Sequence, residues 1–187
     1  VKAHKPKRKR CVVCLEYFLP FQSLQRCCDL ECALIFSKRE MVKKSKRETR
    51  AKLEELKNVR QLLKEARHAF NAFIRQRDQG LPCICCGRLP LGEAFTGGSW
   101  DAGHFRGTGA APHLQFHEDN CHRQLSVCNR GAGGGNYRQG IVARIGLARV
   151  EALENDNSPH KWSRDEVREI RDRYRLKLRE LKQAMAA

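Results

Sequence analysis

Cys83-Ile-Cys-Cys-Gly87, Trp100-Asp-Ala-Gly-His104, Asn120-Cys-His122 and Cys128-Asn129 follow one another inside 47 residues, and the rest of the chain is organised around them. The first is a paired-cysteine turn. The second places a histidine at the end of a predicted strand, Ser99–Phe105. The third puts an asparagine in a loop, and the fourth sets a cysteine beside an amide. Hydrolysis of a phosphodiester needs a water made nucleophilic and relief of charge on the phosphoryl and leaving oxygens. A neutral imidazole meets the first need and a divalent cation the second. His104 is the candidate base, since an imidazole of ordinary pKa, about 6.5, is mostly neutral near pH 7. Asp101, Asn120 and Asn129 offer the oxygen ligands that hard Mg²⁺ or Mn²⁺ ions prefer. His104 is thus the catalytic candidate, and Asn120 and Asn129 are placed to supply or position the ion's oxygens.

Outward from this segment the charge is uneven. The 187 residues carry 37 Lys and Arg against 21 Asp and Glu, a formal net charge of +16. Residues 1–80 hold 21 basic and 9 acidic residues, a balance of +12. A polyanion such as DNA or RNA is the partner such asymmetry suits. No apolar run is long enough to span a bilayer and no export signal is legible, so no membrane partner is expected. Ten cysteines set in close pairs in such a chain read as metal ligands in a reducing cytoplasm rather than as disulfides.

Residues 1–10 read as a disordered basic tail able to meet phosphates. Residues 11–36 form a zinc-binding module. Its Cys11-x2-Cys14 and Cys28-x3-Cys32 pairs flank a short apolar loop and make a closed four-thiolate structural site, with Cys27 a spare that can stand in for Cys28. Residues 37–79 read as one basic helical arm. Its first part is nearly all charge, and fits a solvated arm, a coiled-coil arm or a helix tracking DNA. An apolar stripe, Leu56, Val59, Leu63, Ala66, Phe70 and Phe73, emerges later at helical spacing. Residues 80–140 form the core segment, with a second predicted strand at Leu114–Phe116. Residues 141–187 are helical, broken at Gly146. From 164 a helix is predicted, opened by a Ser163/Glu166 capping box and lined by Val167, Ile170, Tyr174, Leu178 and Leu181.

The run Asn71-Ala-Phe-Ile-Arg-Gln-Arg-Asp78, with Leu81-Pro-Cys83, Trp100-Asp-Ala-Gly-His104, Ala110-Ala-Pro112, Val127-Cys-Asn129 and Arg144-Ile-Gly146, resembles the NinG (Rap) recombination proteins of lambdoid phages. The central part resembles the HNH endonuclease motif. His104 matches its first H, Asn120 its N, and Asn129 its last position. The resemblance implies an α+β fold: a small zinc-knuckle module, a long basic helix, a ββα-metal (HNH, His-Me finger) core and C-terminal helices. It also implies a metal-dependent endonuclease that acts on branched recombination intermediates, Holliday junctions and D-loops, in the cytoplasm of a bacterial host. Paired cuts at a four-way junction would call for a homodimer. Other recombination proteins are further possible partners.

Two departures from the motif matter. Position 125, where a second CxxC would begin, is Leu. Cys83, Cys86 and Cys128 therefore need a fourth zinc ligand, with Cys121 first choice and His122 or Cys85 next. Gly103, not Asp, directly precedes His104, which puts the metal-binding role of Asp101 in question. Arg106, Arg123, Arg130 and Arg138 flank the motif as candidate phosphate clamps. Two other functions fit the same residues: a non-catalytic zinc-containing nucleic-acid-binding protein, and a sequence-specific HNH endonuclease.

Overall fold

A computed structural model describes residues 7–89, 100–131 and 133–186. The fold is α+β, with six helices and two small two-stranded antiparallel sheets among the described residues. It divides into two compact units at Lys57–Asn58.

In the first unit, β1 (Lys9–Arg10) pairs with β2 (Tyr17–Phe18). The basic tail is thus ordered at its end, because its last two residues close the hairpin that carries Cys11 and Cys14. Residues 1–6 lie outside the described residues. Helix α1 (Leu30–Leu56) is capped by Asp29, whose side chain accepts from the Cys32 amide. Cys32 is its one buried residue, and every residue from 37 to 53 is exposed. No face of that stretch packs, as its charge requires.

The basic arm read as one helix is two. Asn58 caps α2 (Val59–Arg77) with a reciprocal box to Gln61, and each side chain satisfies the other's backbone amide. That box ends α1 and begins α2 within two residues. Leu56 and Val59 consequently drop out of the apolar stripe. Leu62, Ala66, Ala69, Phe70, Phe73 and Ile74 form the buried face.

The second unit packs α2 against α6 (Arg164–Ala186), whose buried side is Val167, Ile170, Arg171 and Tyr174. The expected capping box is present: Ser163 Oγ accepts from the Glu166 amide and Glu166 from that of Ser163. Arg171 is buried because Glu65 and Asp172 neutralise it, at 2.9 and 2.8 Å. Phe70, with no exposed surface, meets Phe116 and Tyr174 edge-on at 5.7 and 4.8 Å. Phe70→Ala should cost about 3–5 kcal/mol of stability, read from chemical denaturation.

Against this helix pair lies a hairpin of β3 (Trp100–His104) and β4 (Cys121–Leu125), registered Trp100 to Leu125 and His104 to Cys121. The second strand therefore lies at 121–125, not at 114–116. Residues Pro112–Leu114 form a 3-10 turn instead, because Pro112 starts a turn and Leu114 buries into a second small core. Directly after β4 comes the one-turn helix α3 (Ser126–Asn129). Helices α4 (Tyr137–Ile145) and α5 (Leu147–Asn155) close the second core with Ile141, Val150 and Leu153. They break at Gly146, whose φ of 87° favours glycine. No helix is long and apolar enough to cross a membrane among the described residues.

Candidate active site and metal centres

The first cysteine cluster assembles as the spacing implies. One sulfur each from Cys11, Cys14, Cys28 and Cys32 lies within 4.8 Å of every other. Cys28 Sγ stands 3.5 Å from Cys14 Sγ and 3.6 Å from Cys32 Sγ. Thiolates around a tetrahedral zinc, at about 2.3 Å each, sit about 3.8 Å apart. The donor set therefore fits that ion. Cys27 is buried but outside the group, so Cys28, not Cys27, completes the four-sulfur set. The backbone builds the site: the Cys11–Leu15 turn closes through Leu15 N–H to Cys11 O, and the Val13 amide donates to Cys11 Sγ.

The second cluster contains three thiols, Cys83, Cys86 and Cys128. Cys121 does not join them. It is fully buried across from His104, in the apolar core beside Phe70 and Ala102, and burial pushes its thiol well above the usual range. His122 is also committed, Nε2 to Asp119 O and Nδ1 to Arg77. Cys85 packs against the second core. Where a cysteine was missing at 125, the Leu125 amide donates to Cys83 Sγ at 3.3 Å. Burial raises the Cys83 thiol, but this bond and the amides of Cys85 and Cys86 outweigh it and favour thiolate. The three sulfurs can hold a zinc ion with one tetrahedral position left for another donor.

His104 ends β3 with its ring 6.2 Å from that of Phe70. Its Nε2 lies 2.9 Å from Gln115 O. A backbone carbonyl only accepts, so Nε2 carries the proton and Nδ1 keeps its lone pair. Burial lowers the imidazole pKa from 6.5, more than the Gln115 bond raises it. The ring is thus held neutral in one tautomer.

Asp101 and Asn129 meet: Asn129 Nδ2 donates to Asp101 Oδ2 at 3.0 Å. Strand alternation puts Asp101 and Gly103 on one face and Ala102 and His104 on the other. The oxygen pair and the imidazole therefore flank the strand end from two sides.

Asn120 is not available to an ion. It has no exposed surface, its Oδ1 accepts from the Arg106 amide at 2.8 Å, and its Nδ2 donates to Arg106 O and Leu114 O at 3.1 Å each. The side chain instead ties the loop after His104 to the start of β4. Asn120→Ala should lower stability by about 1–3 kcal/mol for each buried group it leaves unpaired, measured by urea unfolding.

The four arginines divide. Arg106 is spent inside the fold: its guanidinium donates to Leu153 O, Asp156 O and Asn157 Oδ1, closing the C-terminus of α5. Arg138 pairs with Glu154 through two hydrogen bonds at 2.7 and 3.0 Å. Arg123 lies over the Trp100 ring at 4.1 Å. Arg130 is exposed after α3.

Sequence reasoning missed the groups that hold β4. Asp78 is buried and accepts from Arg77 at 2.7 and 3.0 Å and from the Arg123 amide at 2.9 Å. Burial would raise its pKa, but these bonds and His122 hold it far below the carboxylate range. Arg77 also donates to Glu118 O and Cys121 O. Both residues lie in the Asn71–Asp78 run already singled out. A buried Asp at a helix end with its own neighbouring Arg was the available signal.

The features so far define a basic α+β chain whose four-cysteine cluster could hold a zinc ion. Residues 3–184 match the family described as "Bacteriophage Lambda NinG protein". Relatives called "Protein ninG" are 38% identical over 204 residues in Salmonella phage P22, covering 95% of this chain and 96% of the relative. They are 37% identical over 204 residues in Escherichia phage lambda, covering 95% of each. That of Escherichia phage 933W is 38% identical over 198 residues, covering 95% of this chain and 96% of the relative. No solved structure matches. The chain belongs to the NinG family of lambdoid phages.

Proposed function

We propose that this protein is a structure-specific DNA endonuclease of the HNH type that cuts branched recombination intermediates, Holliday junctions and D-loops. The supporting observation is the His104–Gln115 hydrogen bond, which leaves Nδ1 as a free base on a ring kept neutral by burial. In this reading β3, β4 and α3 are the ββα-metal element. Asp101 and Asn129 hold a Mg²⁺ or Mn²⁺ ion, which supplies charge relief on the phosphoryl and leaving oxygens. His104 Nδ1 takes one proton from a water as its oxygen bonds to phosphorus. The P–O bond to the leaving oxygen breaks, and that oxygen is protonated from solvent. Asn120 keeps the loop beyond His104 in place.

The exposed cations of α1 and Arg130 supply phosphate contacts that carry no sequence information, which suits recognition of a branch by shape. The protein acts in the bacterial host's cytoplasm, as a homodimer where cuts are paired, alongside other recombination proteins. Incubating it with labelled four-way junctions, D-loops and linear duplex in Mg²⁺ or Mn²⁺, with His104→Ala as control, tests the reading. Cuts at the branch that vanish in the variant support it. Binding without cleavage by either protein would leave a zinc-containing DNA-binding protein, and one fixed cut on linear duplex would make it a sequence-specific enzyme.

A further inference from the structure

The register of the β3–β4 hairpin sets Gln124 directly opposite Asp101. Opposed residues of an antiparallel pair share a face, so both project with Gly103 to the side that carries Asn129. Gln124 is 4% exposed, its amide accepts and donates no side-chain hydrogen bond among the described residues, and its polar atoms are not wholly sealed from solvent. An amide held at this edge of the core without a protein partner is open to a water or an ion. Its Oε1 occupies the space beside Gly103. A Cβ at 103 would overlap that oxygen and come within 3.2 Å of Asn129 Oδ1. Asn129 turns its Nδ2 to Asp101 and its Oδ1 toward this same space. Glycine at 103 is thus what lets two amide oxygens converge beside a carboxylate.

The geometry points to Gln124 as a third protein ligand of the divalent-ion site, completing a set of one carboxylate and two amide oxygens with Asp101 and Asn129. The inference rests on the proposed ion site at Asp101 and Asn129. Gln124 takes the place the sequence had given to Asn120. The set is all oxygen and suits Mg²⁺, Mn²⁺ or Ca²⁺ rather than zinc. It carries a single negative charge, so it holds an ion weakly by itself. The remaining positions fall to water and to phosphate oxygens, which makes the DNA backbone part of the ion's own shell.

The test measures Mn²⁺ binding to the full chain without DNA, by the paramagnetic resonance signal of the free ion. Asp101→Asn, Gln124→Met and Gln124→Glu are compared with the unaltered protein, with zinc content and far-ultraviolet circular dichroism recorded for each. Gln124→Met keeps the length and removes the oxygen, and should weaken Mn²⁺ binding at least tenfold with zinc content and fold unchanged. Gln124→Glu adds a charge at the same place and should tighten it by a similar factor. Unaltered affinity in folded Gln124→Met overturns the inference and leaves the Asp101 site standing. Should Gln124→Met not fold, unaltered affinity in Gln124→Glu overturns it equally. Unaltered affinity in Asp101→Asn overturns the underlying ion site and Gln124's role with it.

Discussion

His104→Ala should abolish junction cleavage by about 10²- to 10⁴-fold while junction binding stays within a few-fold, because a general base is lost and no phosphate contact is. Gel-shift and single-turnover cleavage on the same labelled junction separate the two effects. The pH profile carries a second signature. A His104 base would work as the neutral imidazole, and burial lowers its pKa from 6.5. Cleavage should therefore fall as pH drops through an inflection below 6.5, not at it. The same shift has a sign for stability. The unfolded chain binds the proton more readily than the folded one, so the His104 contribution is present above pH 6.5 and is lost as pH falls below it. An inflection at or above 6.5 would mean that some other group is the base.

Loss of the first zinc should unfold the hairpin and the start of α1 while leaving the second unit intact. With zinc held there, Cys11→Ser or Cys14→Ser would break a site of the kind whose ion is worth on the order of 10–16 kcal/mol of binding energy. Its apolar cluster rests on the cysteines themselves with Phe18, Phe36 and a few neighbours. Zinc content should drop by one ion per chain, and residues 7–57 should become sensitive to protease. Trp100 and Trp162 both lie in the second unit, with Trp162 5.1 Å from Phe116, so the tryptophan-detected unfolding midpoint should hardly move. Unchanged zinc stoichiometry in either variant would show that the cluster does not hold the ion.

Much of this is legible in the sequence, and what is not shares a cause. Capping and periodicity are local, so α6 with its Ser163/Glu166 box was readable to the residue at its start. The Cys11–Cys32 set was readable because two close pairs and a short loop leave few ways to meet. The Asn58/Gln61 box carried a signal of the same kind and was overlooked under the surrounding helical propensity. Cys121, Asn120 and Arg106 were misassigned for another reason. Their chemistry suits the roles given to them, but strand alternation turns Cys121 into the core, and backbone groups distant in sequence claim the other two. Spacing says nothing of which face a strand presents until its partner and register are known. Gln124 went unnoticed for the same reason: only pairing with Asp101 gives a plain glutamine meaning.

The carbonyls of residues 115 and 116 are neighbours in the chain but answer to different masters. The first receives the His104 Nε2 proton, and the second accepts from the Tyr174 hydroxyl at 3.0 Å, far along α6. A fragment trimmed at residue 163 would retain every residue assigned to the chemistry yet lose the anchor on that peptide. The turn that presents the Gln115 carbonyl to the imidazole would then lose its tie to α6. Efforts to make a minimal version of this protein should therefore start from its last helix.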